Sequence, residues 1–248
     1  MDTPVRLHLP EVDSTNTYAR RHFRELADGT LVSASIQTAG RGRVGRKWYS
    51  GTGENITASV IFKNLLQPFH AGVISSVAAI DLAEEALPGS NVYLKWPNDL
   101  YYKYFKLCGM LSEAVWEQGR AVCCICGLGI NINATEEELA SAGQPAASFR
   151  TISGEKFDVD FLTDRLAKLL NRYYIIYQQY PEQLLARWRS GNRLAGCRIE
   201  VVDPSGNRMQ GIFRDIADDG AMLFEHEGIL KRFDCGDVKV DAAVSGIW

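Results

Sequence analysis

The sequence has no apolar run long enough to cross a bilayer. Its longest nearly apolar stretch, 121–130, has ten residues, about half of what a membrane-spanning helix needs. The N-terminal segment MDTPVRLHLPEVDSTN holds no apolar signal core, so the expectation is a cytoplasmic protein rather than a secreted one. Neither sign of charge dominates: 27 Lys and Arg stand against 30 Asp and Glu, for a net charge of −3. The chain as a whole is therefore no basic nucleic-acid coat. Histidine is scarce, and His8, His22, His70 and His226 are scattered, so they suggest no ligand cluster. Internal repeats and low-complexity segments are missing. Cysteine is present, but Cys123, Cys124 and Cys126 lie inside an apolar run, where a free thiol behaves as a small buried hydrophobe. With Cys108, Cys197 and Cys235 they read as reduced thiols rather than as a disulfide framework or structural zinc.

What remains is an ordinary globular composition, 46% hydrophobic and 23% charged over 248 residues, enough to bury a core without covalent staples. Short strands are expected near 5–9, 31–36, 55–62 and 92–95, and two longer ones at 106–115 and 121–131, joined by a turn at Glu117-Gln118-Gly119. Helical spacing of apolar residues appears after Asp13-Ser14-Thr15-Asn16, around Val73, Val77 and Ile80, and from Val159 to Tyr177. Pro181 opens a last helix running to about Arg189. After Gly191 the texture changes to short strands separated by Asp203-Pro204-Ser205-Gly206 and Asp218-Asp219-Gly220, strong turn signals. The reading is an α/β domain over 1–190 followed by a small all-β unit over 191–248.

One segment cannot be a regular element. Gly40-Arg41-Gly42-Arg43-Val44-Gly45-Arg46-Lys47 places four basic residues within seven positions, and no acidic residue occurs from Gly29 to Gly53. Glycine lets the backbone approach a ligand closely, successive N–H groups can form an anion-binding nest, and arginine adds bidentate phosphate contacts. The chemistry implied is recognition of a phosphate or polyphosphate. The segment also spells G-x-G-x-x-G, but Arg46-Lys47-Trp48-Tyr49 follows where a dinucleotide-binding loop would open an apolar helix, and no acidic residue stands about 20 positions on.

Five segments in order carry a resemblance: Asp13-Ser14-Thr15-Asn16, the run Gly40 to Trp48, Lys95-Trp96-Pro97-Asn98-Asp99, Lys106-Leu107-Cys108-Gly109-Met110-Leu111-Ser112-Glu113, and Gly127-Leu128-Gly129-Ile130-Asn131-Ile132-Asn133. Together they resemble biotin–protein ligase, also called biotin–[acetyl-CoA-carboxylase] ligase. The resemblance implies an α/β (α+β) fold: a mixed-sheet, class II synthetase-like biotin/lipoate ligase catalytic domain, then a small SH3-like β-barrel that supports ligation. It implies two steps. Biotin's carboxylate attacks the α-phosphate of ATP, giving biotinyl-5′-AMP and pyrophosphate. A lysine of the biotin carboxyl carrier protein of acetyl-CoA carboxylase, or of a related carboxylase, then displaces AMP. Mg2+ accompanies the ATP, held largely by its phosphates.

By the same resemblance, Ser14, Thr15, Asn16 and Gln37 read the polar head of biotin, though Ser14 also reads as a plain helix cap. Arg41, Gly42 and Arg43 belong to a loop that folds over biotin and the adenylate phosphate, and this loop is expected to be mobile until a ligand orders it. Lys106, with Gly109 beside it, falls near biotin's carboxylate and the α-phosphate. Lys95 falls near phosphate. Trp48, Asn98, Asp99 and Asn131 fall on the nucleotide side; for Asp99 two readings stand, orienting a lysine or capping a tight turn, and for Trp48 likewise, stacking near adenine or anchoring the loop. Two positions depart from the family pattern: Cys108 stands where alanine or glycine is common, and Ser112 where an aliphatic residue is common. The first family motif begins by residue 13, so no DNA-binding domain and no DNA partner are expected, nor a membrane. A homodimer is left open, because some relatives pair edge strands. Lipoate–protein ligase, of the same fold, is the alternative enzyme; a non-catalytic phosphate- or nucleic-acid-binding module is the alternative of another class.

Overall fold

In the computed structural model, which describes residues 5–240 apart from 52, 142, 204 and 235, the long apolar strand run is the centre of the molecule. β1 (Arg6–Val12), α1 (Thr15–His22), β2 (Leu31–Gln37) and β3 (Ile56–Phe62) come first, then α2 (Pro68–Ala86), β4 (Tyr93–Lys95), β5 (Asp99–Tyr102), β6 (Phe105–Glu117) and β7 (Arg120–Ile130). Seven strands form one sheet in the order β1-β2-β3-β7-β6-β5-β4. Only β1 and β2 pair in parallel; the other neighbours are antiparallel, so the sheet is mixed. α3 (Glu136–Ala140), α4 (Phe149–Ser153), α5 (Val159–Gln179) and α6 (Pro181–Gly191) follow.

The sheet is covered on both faces, which is why β3 and β7 read as continuous apolar runs rather than alternating ones. Cys124, Cys126, Leu128 and Ile130 of β7 join the large core under α2, α5 and α6, while Cys123 and Ile125 join a smaller core with Ala19 of α1. Cys123 and Cys126 carry the C-x-x-C spacing, yet the strand turns them to opposite faces, so the spacing builds no thiol pair. All five described cysteines are free and buried; Cys235 lies outside the described residues. Burial pushes the Cys124 thiol up to about 12, the behaviour of an inert core thiol. The Ser112 departure is absorbed here as well. Ser112 pairs with Cys126 across the ladder, and its hydroxyl donates to the Cys126 sulfur at 3.2 Å.

The C-terminal strands β8 (Arg198–Val202), β9 (Arg208–Ile216), β10 (Met222–His226), β11 (Ile229–Phe233) and β12 (Asp237–Val240) form a second, antiparallel sheet in the order β11-β10-β9-β8-β12. β9 pairs with β8 through 208–212 and with β10 through 212–216, so one long strand serves both neighbours and the sheet curls. Ile199, Val201, Phe213, Met222 and Phe224 of this sheet share the large core with α2 and α6, and the Trp96 indole N–H donates to the Gly220 carbonyl at 2.8 Å. No helix among the described residues is long and apolar enough to cross a membrane.

Candidate active site

The α1 face of the sheet carries a trough. Strands alternate faces, so the residues on this side are Ile125, Gly127 and Gly129 of β7, and Glu113, Leu111 and Gly109 of β6, their ladder partners. Ser59 of β3 lies opposite Gly127. Side chains from elsewhere fill the space that the glycines leave. A Cβ on Gly127 would overlap the Asn16 amide, and one on Gly129 would overlap the Trp48 indole. Above this floor lies a cavity of about 810 Å3, whose rim includes the basic loop and Asp237–Val240 of the second sheet.

At one end of the cavity is a polar pocket. Gln37 Oε1 accepts from the Thr15 backbone N–H at 2.8 Å and from its hydroxyl at 3.0 Å. The Ser59 hydroxyl donates to Asn16 Oδ1 at 2.6 Å and lies 2.7 Å from the Thr15 hydroxyl. Ser14 is the residue before α1 and makes no side-chain capping bond, so the cap reading does not account for its hydroxyl. The four expected head-group residues thus gather on one wall. Ser59 joins them without any local sequence signal, since only the register of β3 brings it under α1.

At the other end stand the cations. Lys106 Nζ is 2.8 Å from Asp99 Oδ1, with both side chains less than one-fifth exposed. The backbone of Lys106 is clasped between the Pro145 carbonyl and the Ala147 N–H, each at 3.0 Å. Asp99 is the first residue of β5, opposite both Lys95 and Gly109, so it flanks the 96–98 turn while its carboxylate pairs with Lys106. Lys95 donates to the Tyr101 hydroxyl at 3.2 Å, and burial lowers its pKa. Trp48 lies over the paired glycines, with Lys106 Nζ 5.9 Å from its ring centre.

The loop spans these two ends. Its arginines, which would repel one another unpaired, each find a different acceptor. Arg41 reaches Glu113 at 2.8 and 3.2 Å, Arg43 donates to Asn98 Oδ1 at 2.9 Å, and Arg46 pairs with Asp237 of the second sheet. Asn98 in turn donates from its amide to the Met110 carbonyl, and its backbone carbonyl accepts from the Met110 N–H at 2.9 Å. A second cavity of about 830 Å3 lies on the far side of the loop. It holds Asn131, whose amide is bonded to the Ala147 carbonyl at 3.1 Å. Lys106, Gln37, Arg41 and Trp48 border both cavities. Thus every residue expected at the site lies at one cavity or the other, and Asn131 alone is confined to the second. Glu113, inside a family motif but not singled out by it, is the acidic residue at the loop's base.

Residues 9–131 match the model of the biotin/lipoate A/B protein ligase family. The bifunctional ligase/repressor BirA of Escherichia coli (strain K12) is 32% identical over 238 residues, which cover 95% of this chain and 74% of that protein. The chain belongs to the biotin/lipoate A/B protein ligase family. The biotin–[acetyl-CoA-carboxylase] ligase of Mycobacterium tuberculosis is 30% identical over 85% of this chain and 79% of its own. Among solved structures, the biotin protein ligase from Aquifex aeolicus in complex with biotin and ATP matches with a TM-score of 0.75 at 26% identity, covering 96% of this chain and 98% of that one. These matches extend through the second sheet, which the family model does not reach.

Proposed function

We propose that the chain is an ATP-dependent biotin–[acetyl-CoA-carboxylase] ligase that acts in the cytoplasm. One observation carries the reading: Lys106, aimed by Asp99, borders both the cavity with the Ser14-Thr15-Asn16-Gln37 pocket and the cavity with Asn131. Biotin fits the first, its polar head against the pocket and its carboxylate toward Lys106. The nucleotide reaches the same point past Asn98 and Asp99 of the same cavity, with Asn131 bordering it from the second. There the biotin carboxylate and the α-phosphate, both anionic, meet beside a fixed cation. Lys106 offsets their repulsion and stabilises the charge that builds as the carboxylate oxygen bonds to phosphorus and pyrophosphate departs. Lys95 stands two strands away, on β4, to help hold phosphate, and Arg41 and Arg43 close over biotinyl-5′-AMP and keep water from the mixed anhydride. A carrier lysine amine then bonds to the acyl carbon, AMP leaves, and an amide remains.

Mg2+ belongs to this chemistry through the ATP phosphates, whose charge it shields. The protein's own donors do not suit a resident metal. Among the described residues no group of three or more His, Cys, Asp or Glu side chains could hold one, and the two acids that line the first cavity each face a base: Asp99 with Lys106 and Asp237 with Arg46.

The test is ATP–pyrophosphate exchange by the purified chain. Exchange that needs biotin supports the reading. Exchange that needs lipoate moves the chain to the other branch of its family, and exchange with neither leaves a phosphate-binding module. A carrier domain added with biotin and ATP then reports acyl transfer by mass.

A further inference from the structure

We propose that Glu113 is a positioning residue that sets the closed place of the basic loop by holding Arg41. The inference rests on the ligase reading above and adds to it a residue without an assigned role. The Glu113 carboxylate is about one-fifth exposed and takes donors on both oxygens. Oε1 receives Arg41 at 2.8 Å and Arg20 at 3.2 Å; Oε2 receives the Asn16 amide at 3.0 Å and Arg41 at 3.2 Å. Two of these donors come from α1 and one from the loop, so a single side chain on β6 ties both to the sheet.

The contacts also close a circuit. Gln37 and Arg41 stand four positions apart at the start of the loop. Gln37 is bonded to Thr15, Thr15 to Ser59, Ser59 to Asn16, Asn16 to Glu113, and Glu113 back to Arg41. The middle of the circuit is the polar pocket and its end is the loop. A ligand that fixes Asn16 and Thr15 therefore also fixes the carboxylate against which Arg41 closes. Networks of this kind are coupled, so their members do not act additively. Arg43 and Arg46 use other anchors, Asn98 and Asp237, so in the loop's first half Glu113 supplies the charged side-chain tie beside the backbone bonds of Thr38 and Ala39 to Val12 and Asp13.

The experiment compares wild type, Glu113→Gln, Arg41→Ala and the double variant as full chains. Glutamine keeps an acceptor for Asn16 and removes the charge, and thermal unfolding verifies that the variants fold. Glu113→Gln should release labelled biotinyl-AMP about fivefold to tenfold faster, the loss of one charge-assisted pair, with KM for biotin changed less than the release rate. Trypsin should cut the ligand-free loop between Arg41 and Lys47 faster than in wild type. In the Arg41→Ala background, Glu113→Gln should add no further effect. An unchanged adenylate lifetime with unchanged cleavage overturns the proposal, as do effects of the two substitutions that multiply independently. Should the wild-type chain form no biotinyl-AMP, the ligase reading fails, and the ligand-free cleavage arm still decides whether Glu113 holds the loop.

Discussion

The candidate site has two kinds of positive charge, built in opposite ways. Lys95 and Lys106 rise from strands β4 and β6, are largely buried, and are fixed by neighbours in the same ladder: Asp99 beside Lys106, Tyr101 beside Lys95. Arg41, Arg43 and Arg46 rise from a glycine-rich loop and reach outward to β6, to the Trp96-Pro97-Asn98 turn and to β12. A charge that must meet a reacting atom gains from a rigid support, because preorganisation spares reorganisation during the reaction. A charge that must admit a ligand and then retain it gains from a loop whose contacts exchange easily, since half-exposed ion pairs contribute little each. The difference implies that the lysines govern the rate of adenylate formation and the arginines its lifetime.

The largest expected effect tests the fixed half. Lys106→Ala should slow biotinyl-AMP synthesis by about 10²–10³, the usual cost of removing one electrostatic stabiliser. The substitution also strands Asp99, which would lower stability by about 3 kcal/mol if its burial is unrelieved. Lys106→Ala with Asp99→Asn separates the two: stability should return and adenylation should not. A well-folded single variant that makes biotinyl-AMP at the normal rate would refute the comparison at its stronger end.

A smaller effect is expected in the loop. Arg43→Ala removes a guanidinium whose anchor is Asn98, a neutral acceptor. It should shorten the lifetime of bound biotinyl-AMP about tenfold, the scale of a hydrogen bond to a charged group, while initial biotin binding changes less. Biotin and ATP together should also protect the segment between Arg41 and Lys47 from protease, as a loop that closes over the adenylate would. If the variant retains the adenylate as long as wild type, the retaining role passes to Arg41 and Arg46.

These two halves were not equally legible in the sequence. The long strands were, because burial on both faces leaves β3 and β7 almost wholly apolar, and the α2 and α5 helices show their apolar spacing. β5 was not: its four residues, DLYY, follow Pro97 and carry no alternation, so Asp99 read as a turn residue as easily as a strand one. The short α3 was missed although Thr135 and Glu138 form a capping box, a signal that residue spacing does offer. β12, only four residues long, was missed for its length. At the site, the arginines and Lys106 stood out as motif residues. Ser59 and the Glu113 contacts did not, since both depend on which face a strand presents to α1, and register over 43 or more positions is written in no local pattern. Asp237 is remote from every motif and enters only because the second sheet packs against the first.

The smallest expected effect sharpens the contrast by asking whether the fixed charges cost stability. Burial lowers the Lys95 pKa, with Lys106 and Arg46 adding to the shift and Asp99 and Asp237 opposing it. A lysine whose folded pKa lies below its unfolded value binds its proton more weakly in the folded state. Between those two values the unfolded chain holds more protons, so stability rises with pH there, and below the folded value the full penalty applies. Lys95→Met should therefore raise stability near neutral pH by about 1 kcal/mol, the low end for replacing a buried charge by an apolar side chain. The advantage should shrink as pH climbs toward the ordinary lysine range. Adenylation should fall at the same time, because Lys95 stands among the groups proposed to hold phosphate. Thermal unfolding of both proteins at pH 7 and at pH 11 (roughly half a unit above the free lysine value) measures the trend. A gain that is the same at both pH values would mean that Lys95 is not penalised by burial, and that the strand-borne cations rest as lightly in the fold as the loop-borne ones.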